Sequence, residues 1–155
     1  MAARITDGEY LALSQLRYLI RRFLQEGDTT ARQAGLEPQQ YLLLLAIRGL
    51  GPGQEASIRT IAERLALRHH STVELIDRME AHGFVKRTRG REDRRQVLVS
   101  LQIRGEKLLQ KVAQKRLIEL RSNGQELVEA ISALLETGSN KHPKCVEKKE
   151  KHDKT

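Results

Sequence analysis

Basic and hydrogen-bonding side chains gather in two short stretches of this chain. From Arg68 to Arg78 runs RHHSTVELIDR, and from Phe84 to Arg95 runs FVKRTRGREDRR. The second stretch sets Lys86, Arg87, Arg89, Arg91, Arg94 and Arg95 against Glu92 and Asp93. Guanidinium groups at this density suit phosphates and the minor groove, whose negative potential favours arginine. Serine and glutamate suit base edges instead: serine bonds to several bases, and glutamate accepts from cytosine N4. The chemistry indicated is the reading of a nucleic acid.

Within the first stretch, Thr72, Leu75, Ile76 and Met79 recur at helical spacing and predict a helix to His82, ended by Gly83. With those four turned to a core, His70 and Glu74 centre the opposite arc. Ser71, Asp77 and Arg78 flank them, and Val73 sits at the margin. Residues at the start of such a helix approach base edges most closely. Arg68, His69, His70, Ser71, Val73, Glu74 and Arg78 are therefore the recognition-helix candidates. Glu74 has a competing role, since Ser71 and Glu74 could close a capping box. In the second stretch Arg87, Arg89, Arg91, Arg94 and Arg95 are the backbone and minor-groove candidates. Asp93 is expected to turn inward, pair with the Arg95 guanidinium and hold the loop rigid. The competing reading of this loop is an ordinary solvated turn.

The elements that must position these groups are legible in outline. A long first helix is expected from about Gly8 to Gln33 and a second from Pro38 to Ile47, stopped by Gly49-Leu50-Gly51-Pro52-Gly53. Ile58, Ile61, Ala62 and Leu65 predict a short amphipathic helix, with a break over Ala66–His69. Phe84–Arg89 and Arg95–Leu101 are β-prone and enclose a charged hairpin tip, Gly90–Arg94. A long helix is expected from near Arg104 to Leu120, an interruption at Ser122-Asn123-Gly124, and a last short helix through Leu135. The fold class is mainly α with a small β-hairpin: a winged helix-turn-helix lobe over about 55–101, with dimerisation helices over about 8–35 and 102–136. Residues 1–136 are read as one domain, and the Lys-rich stretch 137–155 as a disordered tail.

Composition agrees. In 155 residues, 28 Lys and Arg oppose 20 Asp and Glu, a net charge of +8 that favours a polyanionic partner, nucleic acid first and an anionic membrane second. The competing reading is charge that only keeps the protein soluble. The longest apolar run, Tyr41–Ile47, is too short to span a bilayer. With no signal-like N-terminus and one cysteine, Cys145, a soluble cytoplasmic protein without an intrachain disulfide is expected. No phosphate loop or nucleophile–base pair marks an enzyme, and no cofactor is expected. His69 and His70 point about 100° apart on a helix and lack supporting ligands, which disfavours a metal site. His142, Cys145 and His152 lack a framework for one.

Two short helices, a glycine and a basic hairpin follow the winged helix-turn-helix order. The run IAERLALRHHSTVELIDRMEAHGFVKR, the wing GREDRRQVLVSL and RGEKLL resemble the MarR family of bacterial transcriptional regulators over about Tyr10–Leu135. Asp93-Arg94-Arg95 followed by Val97–Leu101 is the most distinctive part. The resemblance implies a homodimer built from the N- and C-terminal helices. It implies a palindromic duplex DNA operator, repression, and often release by a small aromatic or phenolic effector. Arg17 and Arg21, one turn apart, could meet an anionic effector or lie in the dimer seam. The chain departs from the family pattern after Leu101, where Gln102 and Ile103 stand in place of a threonine cap. A winged-helix module for protein or RNA contact is the rival reading, separable by competition between duplex DNA and single-stranded RNA.

Overall fold

The computed structural model describes residues 4–139. Its element order is α1 (Asp7–Gln33), α2 (Pro38–Arg48), α3 (Ile58–Leu65), α4 (His69–Ala81), β1 (Val85–Arg89), β2 (Val97–Leu101) and α5 (Ile103–Ser139). Of the stretch 137–155 expected to be a disordered tail, residues 137–139 continue α5, and the rest, with Cys145, lies outside the described residues. The chain divides into two compact units. The larger is Arg22–Ser122; the smaller takes the residues before Arg22 and after Ser122.

Local chemistry sets the ends of α3 and α4 in the larger unit. Ser57 caps α3, its side chain accepting from the Thr60 N–H at 3.1 Å. Ala66 then takes a left-handed conformation, φ 51°, and Leu67 N–H donates to Ala62 C=O at 3.0 Å. That tight reversal separates α3 from α4. At the far end of α4, Gly83 adopts φ 70° and Phe84 N–H reaches back to Met79 C=O at 3.0 Å, so the chain turns into β1.

Burial drives the packing of these elements. Ile61 from α3, Leu75, Ile76 and Met79 from α4, and Leu43 and Leu44 from α2 meet in one apolar core. Val85 and Val99 from the hairpin and Leu109 and Val112 from α5 complete it. β1 and β2 pair antiparallel, with Val85 opposite Leu101 and Arg89 opposite Val97. Val99 N–H also donates to Ala56 C=O at 2.9 Å, and Ser57 bridges to Leu98. The segment before α3 thus acts as a third, minimal strand against the wing, which the sequence does not announce.

One expectation is corrected. Ser122-Asn123-Gly124 does not interrupt the last helix, because α5 is continuous from Ile103 to Ser139. A lone glycine weakens a helix by about 1 kcal/mol but does not break it, and α5 contains no proline. Ser122 Oγ donates back to Ile118 C=O at 3.0 Å, satisfied without leaving the helix.

In the smaller unit, Tyr10, Leu11, Leu13 and Tyr18 of α1 are exposed, Leu11 at 73%. Val128, Ile131 and Leu135 of α5 are also exposed, Leu135 at 68%. No helix among the described residues is long and apolar enough to cross a membrane.

Candidate nucleic-acid interface

The four residues expected to anchor α4, Thr72, Leu75, Ile76 and Met79, are all buried. The opposite side is open: His69, His70, Glu74 and Arg78 are exposed, while Ser71 and Val73 are half-buried. α4 begins one residue inside the expected break, with Arg68 as its N-cap and His69 and His70 in its first turn. Thr72 Oγ1 donates to Arg68 C=O at 3.0 Å, which ties the exposed cap residue to the buried face. Ser71 therefore lies inside the helix, two residues past its first, and cannot be the N-cap of a box with Glu74. The competing structural role for Glu74 falls away, and its carboxylate stands on the open face.

Arg87 is where the structure departs most from the expectation of a phosphate contact. Its Nη2 lies 2.6 Å from Asp77 Oδ1, and its Nη1 donates to Glu80 Oε2 at 2.7 Å. Nη2 also donates to Val73 C=O at 3.4 Å, and the Arg87 main-chain N–H donates to Glu80 Oε1 at 3.0 Å. The physical reason is strand alternation. Val85 and Arg87 share one face of β1, and that face packs on α4. The Arg87 N–H, and then its guanidinium, hold the Glu80 carboxyl below its ordinary range. Partial burial opposes the Arg87 charge, but the bonds to Glu80 and Asp77 outweigh it and raise its pKa. Asp77 and Glu80 as partners of a wing arginine are the residues that sequence reasoning missed. The shared face of Val85 and Arg87 was the available signal.

The remaining wing candidates, Arg89, Arg91, Arg94 and Arg95, are exposed, and Lys86 joins them. Between the wing and the α2–α3 loop opens a cleft of about 900 Å³, lined by Gln54, Thr60, Arg89 and Arg91, and by the acids Glu55 and Glu92. A smaller groove of about 500 Å³ borders α4 on its other flank, where Leu75 and Arg78 face Asp28, Arg32, Glu37 and Gln40. Arg78 therefore looks toward α1 and α2 as well as toward solvent.

Asp93 bonds within the wing tip, but not to the atom expected. Its Oδ1 accepts from the Arg95 main-chain N–H at 2.9 Å; the guanidinium is not its partner. This is the local turn that aspartate forms with an amide two residues on. Gln96 N–H donates to Asp93 C=O at 3.0 Å and Gly90 N–H to Gln96 C=O at 2.9 Å, closing the tip. A Cβ at Gly90 would come within 2.6 Å of the Asp93 carbonyl oxygen, so the tip closes against a residue without a side chain. If this loop meets DNA, Asp93→Ala removes a negative charge and yet weakens binding, because the wing must then be ordered on docking. A loss of roughly two- to tenfold is expected, the range a single side-chain cap supports. Titration against duplex DNA at fixed salt checks it, and tighter binding by Asp93→Ala would retire the brace.

Among the described residues, no group of three or more His, Cys, Asp or Glu is placed to hold a metal ion. What the site offers is an exposed helix face beside an arginine-bearing loop.

Comparison with known proteins places this geometry. A profile of the MarR family matches residues 34–96, which takes in α2 through the wing tip. YsmB of Bacillus subtilis, described as an uncharacterized HTH-type transcriptional regulator, is 29% identical over 121 residues, 78% of this chain and 81% of that protein. YfiV of the same organism, described in the same words, is 33% identical over 84 residues, 54% of this chain and 50% of its own length. AbsC, a MarR family transcriptional regulator from Streptomyces coelicolor, shares the fold with a TM-score of 0.68 at 21% identity, over 88% of this chain and 96% of its own.

Proposed function

The chain belongs to the MarR family of DNA-binding transcription regulators, and on that premise we propose that it is a homodimeric repressor acting on a palindromic operator. The observation that carries the reading is the open face of α4, with His70 and Glu74 at its crest, beside a wing that exposes Arg89, Arg91, Arg94 and Arg95. In this reading Arg68, His69, His70, Ser71, Val73, Glu74 and Arg78 approach base edges or the flanking backbone. The four exposed wing arginines meet phosphates and the adjoining minor groove. Family membership points away from catalysis, since the relatives are described as regulators.

The exposed apolar residues of α1 and α5 support the dimer. Leu11, Tyr18, Val128 and Leu135 are large hydrophobic groups open to water, and a second copy of the chain would cover them. A small effector would act by shifting the dimer between states that differ in DNA affinity. The groove beside Leu75 and Arg78 offers polar groups of both signs for such a molecule, whereas Arg17 and Arg21 are exposed on the first half of α1.

Selection from a random-sequence duplex pool by the purified protein tests the reading. The enriched duplex should carry inverted half-sites whose centres lie about 34–36 Å apart, one helical turn, or a multiple of that spacing. Sedimentation at micromolar concentration should give a dimer. A compact monomer, no enriched sequence, or equal competition by single-stranded RNA would each count against it.

A further inference from the structure

We infer that Arg87 is a positioning residue for DNA binding, one that locks the wing strand to the flank of α4 and pairs with two carboxylates beside the DNA-facing surface, offsetting half of their charge. The inference rests on the proposal that α4 and the wing meet DNA, and it concerns how that site is made competent.

α4 is an unusual helix to offer to a polyanion. It carries Glu74, Asp77 and Glu80 against one arginine, Arg78. Exposed carboxylates within a Debye length of phosphate, about 8 Å at physiological salt, oppose binding unless they have a cationic partner. Asp77 and Glu80 have one. Val73, Asp77 and Glu80 follow at helical spacing along the flank of α4 that faces β1, and Arg87 contacts all three. Only Glu74 is left open, at the crest where a base could supply a donor.

The geometry is also mechanical. Glu80 accepts from both the main chain and the side chain of Arg87, so it grips the strand at two points. The guanidinium spans Glu80 and Asp77 with separate nitrogens, which the rigid fork of arginine permits and the single ammonium of lysine does not. At 24% side-chain exposure the Arg87 group is better shielded from water than either partner. The wing arginines beyond it, Arg89 and Arg91, therefore start from a strand whose position along α4 is set. Without the lock, wing and helix would dock as separate pieces, and two unmasked carboxylates would face the backbone.

The test uses the duplex enriched by the wild-type protein and measures affinity across a salt series. Arg87→Ala should lower affinity at least about tenfold, the scale for losing one member of a hydrogen-bonded charge pair. Its slope of log affinity against log salt should stay near the wild-type value, whereas losing a phosphate ligand lowers that slope by about 0.9. In the Arg87→Ala background, Asp77→Asn with Glu80→Gln should restore most of the lost affinity. In the wild-type background the same pair should not tighten binding, and this change of sign marks masking rather than fold maintenance. Arg87→Lys keeps the charge without the fork and should remain weaker than wild type; it stands in if Arg87→Ala does not fold. A slope that falls by one contact, no restoration in the triple variant, or full affinity for Arg87→Lys would overturn the inference. If the wild-type protein enriches no duplex, the DNA-binding proposal falls and the inference with it. A normal enrichment with a reduced Arg87→Ala slope would sink the inference alone.

Discussion

Gly105→Ala is expected to destabilise the winged lobe by about 3 kcal/mol, the upper range for forcing an atom into a packed site. Gly105 lies in the first turn of α5, and its Cα side is pressed against the main chain at Phe84. A Cβ there would collide with the Phe84 carbonyl oxygen, with the carbonyl carbon at 3.0 Å and Leu44 Cδ2 at 3.2 Å. The carbonyl cannot swing away freely, because it accepts from Gln102 N–H at 2.9 Å. Retreat of α5 is no cheaper, since Leu109 and Val112 are sunk in the core on the same helix. Helix propensity alone predicts the opposite sign, a gain of about 0.8–1 kcal/mol for alanine over glycine. Thermal unfolding followed by circular dichroism separates the two. The clash predicts a midpoint lower by about 10 °C for a chain of this size. A midpoint at or above that of wild type would show that α5 does not approach Phe84 this closely.

That contact shows what a one-dimensional pattern carries and what it leaves out. Gly105 reads as a mild weakness in a helix, and nothing in its neighbours says that the Phe84 carbonyl lies against it. Elements set by local rules were legible: the short amphipathic helix through Ile58, Ile61, Ala62 and Leu65, the Gly83 end of α4, and the β-prone run to Leu101. The buried face of α4 was legible too, because four apolar-side residues at helical spacing leave one orientation. Ser122-Asn123-Gly124 misled for a physical reason. Residues that favour turns express that preference only when the flanking chain does not hold them helical.

In the candidate site the open face of α4 was legible in the sequence, and the wiring of the wing was not. An arginine in a basic loop looks the same whether it faces water or a neighbouring helix, and Arg87 was placed among the phosphate candidates on charge alone. Asp93 was expected to pair with the Arg95 guanidinium, but its partner is the Arg95 amide, and amides carry no sequence label. Arg116 is a further case outside the site. It reads as a solvated helix charge, yet it is nearly buried, 2.5 Å from Glu119, and it donates to Phe23 C=O at 2.9 Å. Contacts between residues far apart in the chain, such as Phe23 and Arg116, follow from packing and leave no local periodic trace.

The exposed wing and the crest of α4 should fail in different ways when altered. Arg91→Ala with Arg94→Ala removes two exposed guanidinium groups that the proposed docking sets on phosphates. Each lost phosphate contact lowers the salt slope by about 0.9, so the double variant should lose about 1.8 and bind roughly thirtyfold more weakly at about 0.15 M salt. The loss should be the same for the enriched duplex and for a scrambled one, since phosphates carry no sequence information. His70→Ala acts at the other end of the interface. His70 is exposed in the first turn of α4, where base edges come nearest, and it bears no fixed charge when neutral. Its removal should leave the salt slope nearly unchanged and reduce the preference for the enriched duplex over the scrambled one by roughly five- to tenfold, within the 1–3 kcal/mol a base contact supports. Fluorescence anisotropy titrations of both duplexes over a salt series give both quantities from one data set. Equal loss of preference in the two variants would mean that the wing and the helix are not divided between backbone and bases, and that α4 enters the groove in another orientation.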